Sequence, residues 1–351
     1  MTLGAVAPLD AVAAAAARAR IDALTKPLHS LGRIEALAVQ LCAIAGRVID
    51  RAYEKKVILI GAGDHGVALE GVSAYPPEVT PQMVGTFLAG HAAINAFART
   101  ARADVFVANF GIATALAPHP LLIDVPAGRG TANFAAGPAM DVPTVHRALD
   151  AGAAALDRVL ANASYDVLAL GDMGIANTTS AAAIAAVCSG LPAAAVTGRG
   201  TGIDDARLAR KREIVARAIA PLRDASWEAI ASAVGGFEIV GLAGAIVRAA
   251  SLRLPVVLDG FIVAAAALLA QRIEPRSIDY CVAAHRSQEP GHRIALEVLA
   301  LAPLLDLELR LGEGSGAALA LPLVEAATRM IAEMHTFAEA GVATADDVRR
   351  S

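Results

Sequence analysis

Aromatic side chains are scarce, at 4% of the 351 residues, and no extended basic run occurs anywhere in the chain. With a formal net charge of −4 as well, the electrostatic footprint of a nucleic-acid binder is missing. Cysteine is almost absent too. Cys42, Cys188 and Cys281 are far apart, odd in number, and show no CxxC or Cys/His spacing. That excludes a disulfide framework and a zinc knuckle, and leaves reduced thiols in a cytoplasmic chain as the expectation. Uncharged apolar spans are also lacking, although 56% of residues are hydrophobic. The stretch 254–270 is broken by Asp259, and 231–250 carries Glu238. A spanning helix needs about 20 residues with few charges, so no membrane partner is expected. The N-terminus has Asp10 and no basic-then-apolar order, unlike a secretory signal. Neither GxxxxGK[ST] nor GxSxG occurs, which removes a Walker loop and a hydrolase nucleophile elbow.

What the chain does have is a rhythm. Residues 8–55 read as helices, with a periodic stretch over 34–48 and Ser30 upstream as a cap. From there, short β-branched runs end in glycine-rich turns and alanine-rich helical stretches follow. Strands are expected at 57–64, 104–111, 167–174, 255–260 and 280–285, and helices over 81–99, from 177, and over 314–340. Such alternation implies βαβ crossovers: an α/β fold with a Rossmann-like, mostly parallel sheet flanked by helices. Residues 1–55 and 313–351 are expected to form a small helical domain beside a large α/β domain at 56–312.

Asp64, His65, Asp172, Asp259 and His285 all fall at the carboxyl ends of expected strands. Ligands of open α/β sheets bind there, so four segments point to one site. Asp64-His65 reads as a catalytic pair, as metal ligands, or as a cap and a loop histidine. The segment GDMGIANTTSAAAI (171–184) opens a helix with Asn177 or Thr178 as cap and offers N–H groups to an anion. In TGRGTGIDDARLARKREIV (197–215), Gly200 and Gly202 suit a phosphate turn and Lys211 a point charge, or the helix is simply a solvated basic face. Glu313 lies between two glycines ahead of a helix, with Ser315 as a candidate cap. Small neighbours admit a substrate, and a helix N-terminus favours the ionised carboxylate. The alternative is a glutamate that merely complements the dipole.

Seven segments occur in a fixed order: GDHGVALEGVSAYPPEVTPQM, GDMGIANTTSAAAI, GRGTGIDD, GGFEIVGLAGAI, PVVLDGFI, AHRSQEPGH and LRLGEGSGAALALPL. Together with KPLHSLGRIEALAVQL near the start, they make the chain resemble the nicotinate-nucleotide–dimethylbenzimidazole phosphoribosyltransferase family from about residue 26 to 330. The resemblance implies transfer of the 5-phosphoribosyl group of nicotinate mononucleotide to 5,6-dimethylbenzimidazole, giving α-ribazole 5′-phosphate for cobalamin biosynthesis. It also implies a homodimer without cofactor or metal. Glu313 would be the base, Gln82 and Ser287 the benzimidazole contacts, and Gly174, Gly200, Gly202 and Lys211 the phosphate and ribose contacts. Asp172, a further substrate-binding candidate, stands where the family usually has Glu, and Ala176 where it usually has Gly. The rival readings are a related transferase with a purine or phenol acceptor, a non-catalytic nucleotide-binding module, and a metal-dependent hydrolase built on Asp64, His65 and His285.

Overall fold

A computed structural model describes residues 3–343. Six parallel strands form one sheet: β1 (Lys56–Gly63), β2 (Ala103–Gly111), β3 (Leu122–Asp124), β4 (Val167–Met173), β5 (Val256–Leu258) and β6 (Cys281–Ala283). Their order is β3-β2-β1-β4-β5-β6. The order reverses between β1 and β4, which lie side by side with Lys56 opposite Val167. A reversal of this kind opens a crevice at the carboxyl ends of the strands.

Every residue of β1 is buried, as a central parallel strand covered on both faces requires. Val57 and Leu59 point into a core built with helices Val142–Asn162, Phe237–Ser251 and Phe261–Ile273. Ile58 and Ile60 point the other way. On that second face they meet Leu37 and Leu41 of helix Arg33–Ala45 and Leu321 and Val324 of helix Ser315–Glu333. Lys56, buried at the start of β1, pairs with Glu325 of the latter helix. The chain's two ends thus meet on one side of the sheet. Among the described residues no helix is long and apolar enough to cross a membrane.

Local departures from the sequence reading have local causes. The helix expected over 81–99 is two, Val79–Leu88 and Ala93–Ala101. The break falls at Gly90, which takes φ +80°, and Asn95 secures it by accepting from Ala92 N–H and donating to the Phe87 carbonyl. Strand β3 has three residues and was not anticipated. Gly32, not Ser30, caps helix Arg33–Ala45, and Ala176, not Asn177 or Thr178, precedes helix Asn177–Ser189. The terminal helix ends at Glu333, with a separate turn at Phe337–Ala340. Residues 344–351 of the expected C-terminal helical segment, like 1–2, lie outside the described residues.

Candidate active site

Residues 312–314 bring the main candidate to the sheet. Gly312, Glu313 and Gly314 all adopt positive φ, at 82°, 66° and 88°, a run tolerated because two of the three lack a Cβ. The turn lies directly on the end of β4, where Glu313 N–H donates to the Asp172 carbonyl at 3.2 Å. Contact is so close that a methyl on Gly171 would lie 2.4 Å from the Gly314 nitrogen. Asp259, at the end of β5, then caps the following helix from across the sheet. Its carboxylate accepts from Gly314 N–H at 3.0 Å and Ala317 N–H at 2.9 Å. Ser315 is not the cap. His285, at the end of β6, has Nε2 3.6 Å from Asp259 Oδ1 and packs where any side chain on Gly316 would collide with it.

Glu313 is only 6% exposed, and its Oε2 has no hydrogen-bond partner. Burial pushes its carboxyl up to about 7, an N–H from Ile94 pulls it back, and the negative charge of Asp259 adds to the rise. The sequence reading expected the helix terminus to favour the ionised form. Burial outweighs the terminus, whose Gly314 and Ala317 N–H groups are engaged by Asp259. Asp172 is raised well above the usual carboxylate range, chiefly by burial and then by Asp259, against a hydrogen bond from Asn177 Nδ2 at 3.0 Å.

These groups open onto a cavity of about 420 Å³. Asp172, Gly174, Gly200, Ser287 and Glu313 all line it, so five of the eight expected site residues share one wall. Apolar Val79, Met83, Phe261, Ile262 and Leu311 complete it, a lining suited to a flat heterocycle. Gly202 lines an adjoining pocket. Lys211 is fully buried behind the wall, where Nζ donates to Thr178 Oγ1 at 2.7 Å, and burial lowers it to about 8. Gly200 N–H is engaged by Glu289 Oε1 at 2.9 Å. Gln82 is exposed and does not line the cavity; its neighbours Val79 and Met83 do.

The histidines are held by separate partners, apart from an edge-on contact between His285 and His292. His65 is buried with Nε2 2.6 Å from Glu238 Oε1 and Nδ1 3.1 Å from Ser180 Oγ. Asp64 Oδ2 accepts from Ala113 N–H, and His292 Nδ1, pushed down to about 3 by burial, accepts from Ser287 N–H. Among the described residues no cluster of three His, Cys, Asp or Glu side chains could hold a metal ion. Glu289 and Arg310 in the cavity wall were not singled out from sequence. A glutamate ahead of Pro290, one turn past a strand end, was the available signal for the first.

A family model described as "Phosphoribosyltransferase" matches residues 6–342. The nicotinate-nucleotide–dimethylbenzimidazole phosphoribosyltransferase of Chloroflexus aggregans is 49% identical over 97% of this chain and 97% of its own length. The like-named Thermus thermophilus protein is 50% identical over 95% of this chain and 99% of its own. A crystal structure of the enzyme of that name from Thermus thermophilus superposes with a TM-score of 0.91 at 48% identity, covering 96% of this chain and 100% of that one.

Proposed function

This chain belongs to the nicotinate-nucleotide–dimethylbenzimidazole phosphoribosyltransferase family and is a phosphoribosyltransferase, and from that premise we propose a mechanism centred on Glu313. The donor is nicotinate mononucleotide and the acceptor 5,6-dimethylbenzimidazole. In the donor the glycosidic nitrogen is a pyridinium, so breaking its bond to the anomeric carbon releases neutral pyridine nitrogen and needs no general acid. The acceptor's lone-pair nitrogen forms the new bond from the opposite face, which inverts β to α. Its N–H proton passes to Glu313 as the bond forms. The products are nicotinate and α-ribazole 5′-phosphate.

The observation that carries this reading is a buried carboxyl in the wall of a largely apolar cavity, with one oxygen unpartnered and its pKa pushed up to about 7 by that burial. General bases work best with a pKa near the operating pH, and holding acceptor against donor supplies much of the remaining acceleration. Asp172, beside Gly312 and with its carboxyl pushed upward by burial, serves as a hydrogen-bonding partner for substrate. Ser287 and Gln82 contact the acceptor, which requires the exposed Gln82 to turn inward. The donor's phosphate lies between Gly174, just past β4, and the separate turn of Gly200 and Gly202, at N–H groups other than that of Gly200, which Glu289 holds, with Lys211 and Thr178 behind it. We also propose a homodimer, checked by sedimentation.

Incubation of the protein with nicotinate mononucleotide and a mixture of dimethylbenzimidazole, a purine and a phenol tests the reaction. Nicotinate release with the benzimidazole riboside phosphate as main product by mass is expected. A purine or phenol product in excess transfers the activity to a different acceptor. Saturable nucleotide binding without nicotinate release leaves only a binding module.

A further inference from the structure

Glu289 is a buried carboxylate in a position that no role above uses. It is 9% exposed and stands at the N-terminus of helix Pro290–Val298, where it lines both the main cavity and the adjoining pocket of about 490 Å³. Oε1 accepts from Gly200 N–H at 2.9 Å, while Oε2 is buried with no partner. A methyl on Gly198 would lie 2.2 Å from Oε2, so that glycine is what leaves room for the carboxylate. The nearby Lys211 ammonium feels the charge of Glu289 but is directed to Thr178, so Glu289 Oε2 keeps no hydrogen-bond partner. An ionised carboxylate accepts at about four lone-pair positions, and here one is filled. Leaving the rest empty in a buried site is costly.

The donor's chemistry says what fills them. Its phosphate and its pyridine carboxylate only accept hydrogen bonds at neutral pH, and either would be repelled by Glu289. Its only hydrogen-bond donors are the two ribose hydroxyls, on C2′ and C3′ of the ring that carries the phosphate through C5′. Glu289 likewise sits beside the glycine turn assigned to the phosphate. The other unpartnered carboxyl oxygens in the wall belong to Glu313 and Asp172. The first is assigned to the acceptor's proton, and the second packs at the Gly312 end of the cavity, where Asp172 Oδ1 lies 3.3 Å from a methyl placed on Gly312. Carboxylates reading ribose hydroxyls beside a glycine turn recur in Rossmann-type nucleotide sites. We infer that Glu289 binds the ribose hydroxyls of the donor and makes the enzyme select ribosyl over deoxyribosyl donors. This inference rests on the phosphoribosyl reading of the site.

The test compares kcat/KM for nicotinate mononucleotide and its 2′-deoxy and 3′-deoxy counterparts in the wild type and in Glu289→Gln. Glutamine keeps an oxygen for Gly200 N–H, so the turn is retained. The wild type is expected to prefer the ribosyl donor over at least one deoxy counterpart by about 10²-fold or more, since a site built to bond a hydroxyl rejects its absence strongly. Glu289→Gln should reduce that preference at least about tenfold, with the acceptor KM within about twofold. An unchanged preference in the variant overturns the inference, as does a wild type indifferent to both hydroxyls. Thermal stabilisation by ribose 5-phosphate against 2-deoxyribose 5-phosphate gives an arm independent of turnover. The wild type should be stabilised more by the first and Glu289→Gln equally by both; equal stabilisation of the wild type counts against the inference. If no donor supports transfer, the proposed reaction fails, and this arm still decides the role of Glu289.

Discussion

A glutamate that titrates at about 7 is ionised in only part of its population at neutral pH, and this has measurable consequences. If Glu313 takes the acceptor's proton, kcat/KM should fall roughly tenfold per pH unit below about 7 and level off above it. Glu313→Gln should lose that acidic limb and turn over about 10²-fold more slowly, with donor affinity, measured calorimetrically, unchanged. Stability follows with a definite sign. Between pH 4.5, the ordinary value, and about 7, the folded protein holds a proton on Glu313 that the unfolded chain has released. Stability therefore drops as pH rises through that window, and the variant should lack this part of the slope in urea titrations. The place of Glu313 on the cavity was legible in its glycine neighbours, while that of Ser287 was expected only from the family resemblance. The raised pKa of Glu313 was not legible, since it comes chiefly from burial among segments remote in sequence, with the charge of Asp259 at the end of β5 adding to it. Glu289 was missed for the same reason: its partner Gly200 is 89 residues away.

Among the elements, the strands read well because central parallel strands are apolar throughout, while the three-residue β3 is too short to show a pattern. The helix expected over 81–99 failed on one glycine, whose positive φ the apolar periodicity could not reveal. Element contacts also make sharp predictions. A Cβ on Gly171 meets backbone of the 312–314 turn, which cannot yield as a side chain would. Gly171→Ala should push that turn off β4 and reduce turnover by more than about tenfold, because small misplacements of reacting groups are expensive. The helical circular dichroism spectrum should be retained. Ala176 carries φ +73° at the head of helix Asn177–Ser189, a conformation that costs a non-glycine residue about 1–2 kcal/mol. Part of that is offset by its buried methyl. Ala176→Gly should raise stability by up to about 1 kcal/mol in urea unfolding.

For the molecule as a whole, we propose that the terminal segments 3–55 and 313–343 act as one helical unit seated on the Ile58–Ile60 face of the sheet. They share a continuous apolar cluster with that face. Deleting residues 1–55 should uncover it and give a chain that binds a hydrophobic dye and loses cooperative unfolding; a deletion product that unfolds in one sharp transition would show that the unit is dispensable. The layered α/β architecture could be read from the alternation of strands and helices, but which helices cover which face could not, because that depends on contacts between the two ends of the chain. The same architecture places the GEG turn over β4 and leaves its carboxylate facing the cavity. A crystal structure with dimethylbenzimidazole bound tests that geometry most directly. The account predicts an azole nitrogen within about 3 Å of a Glu313 carboxylate oxygen, and a benzimidazole seated elsewhere, with Glu313 turned away from it, would contradict it.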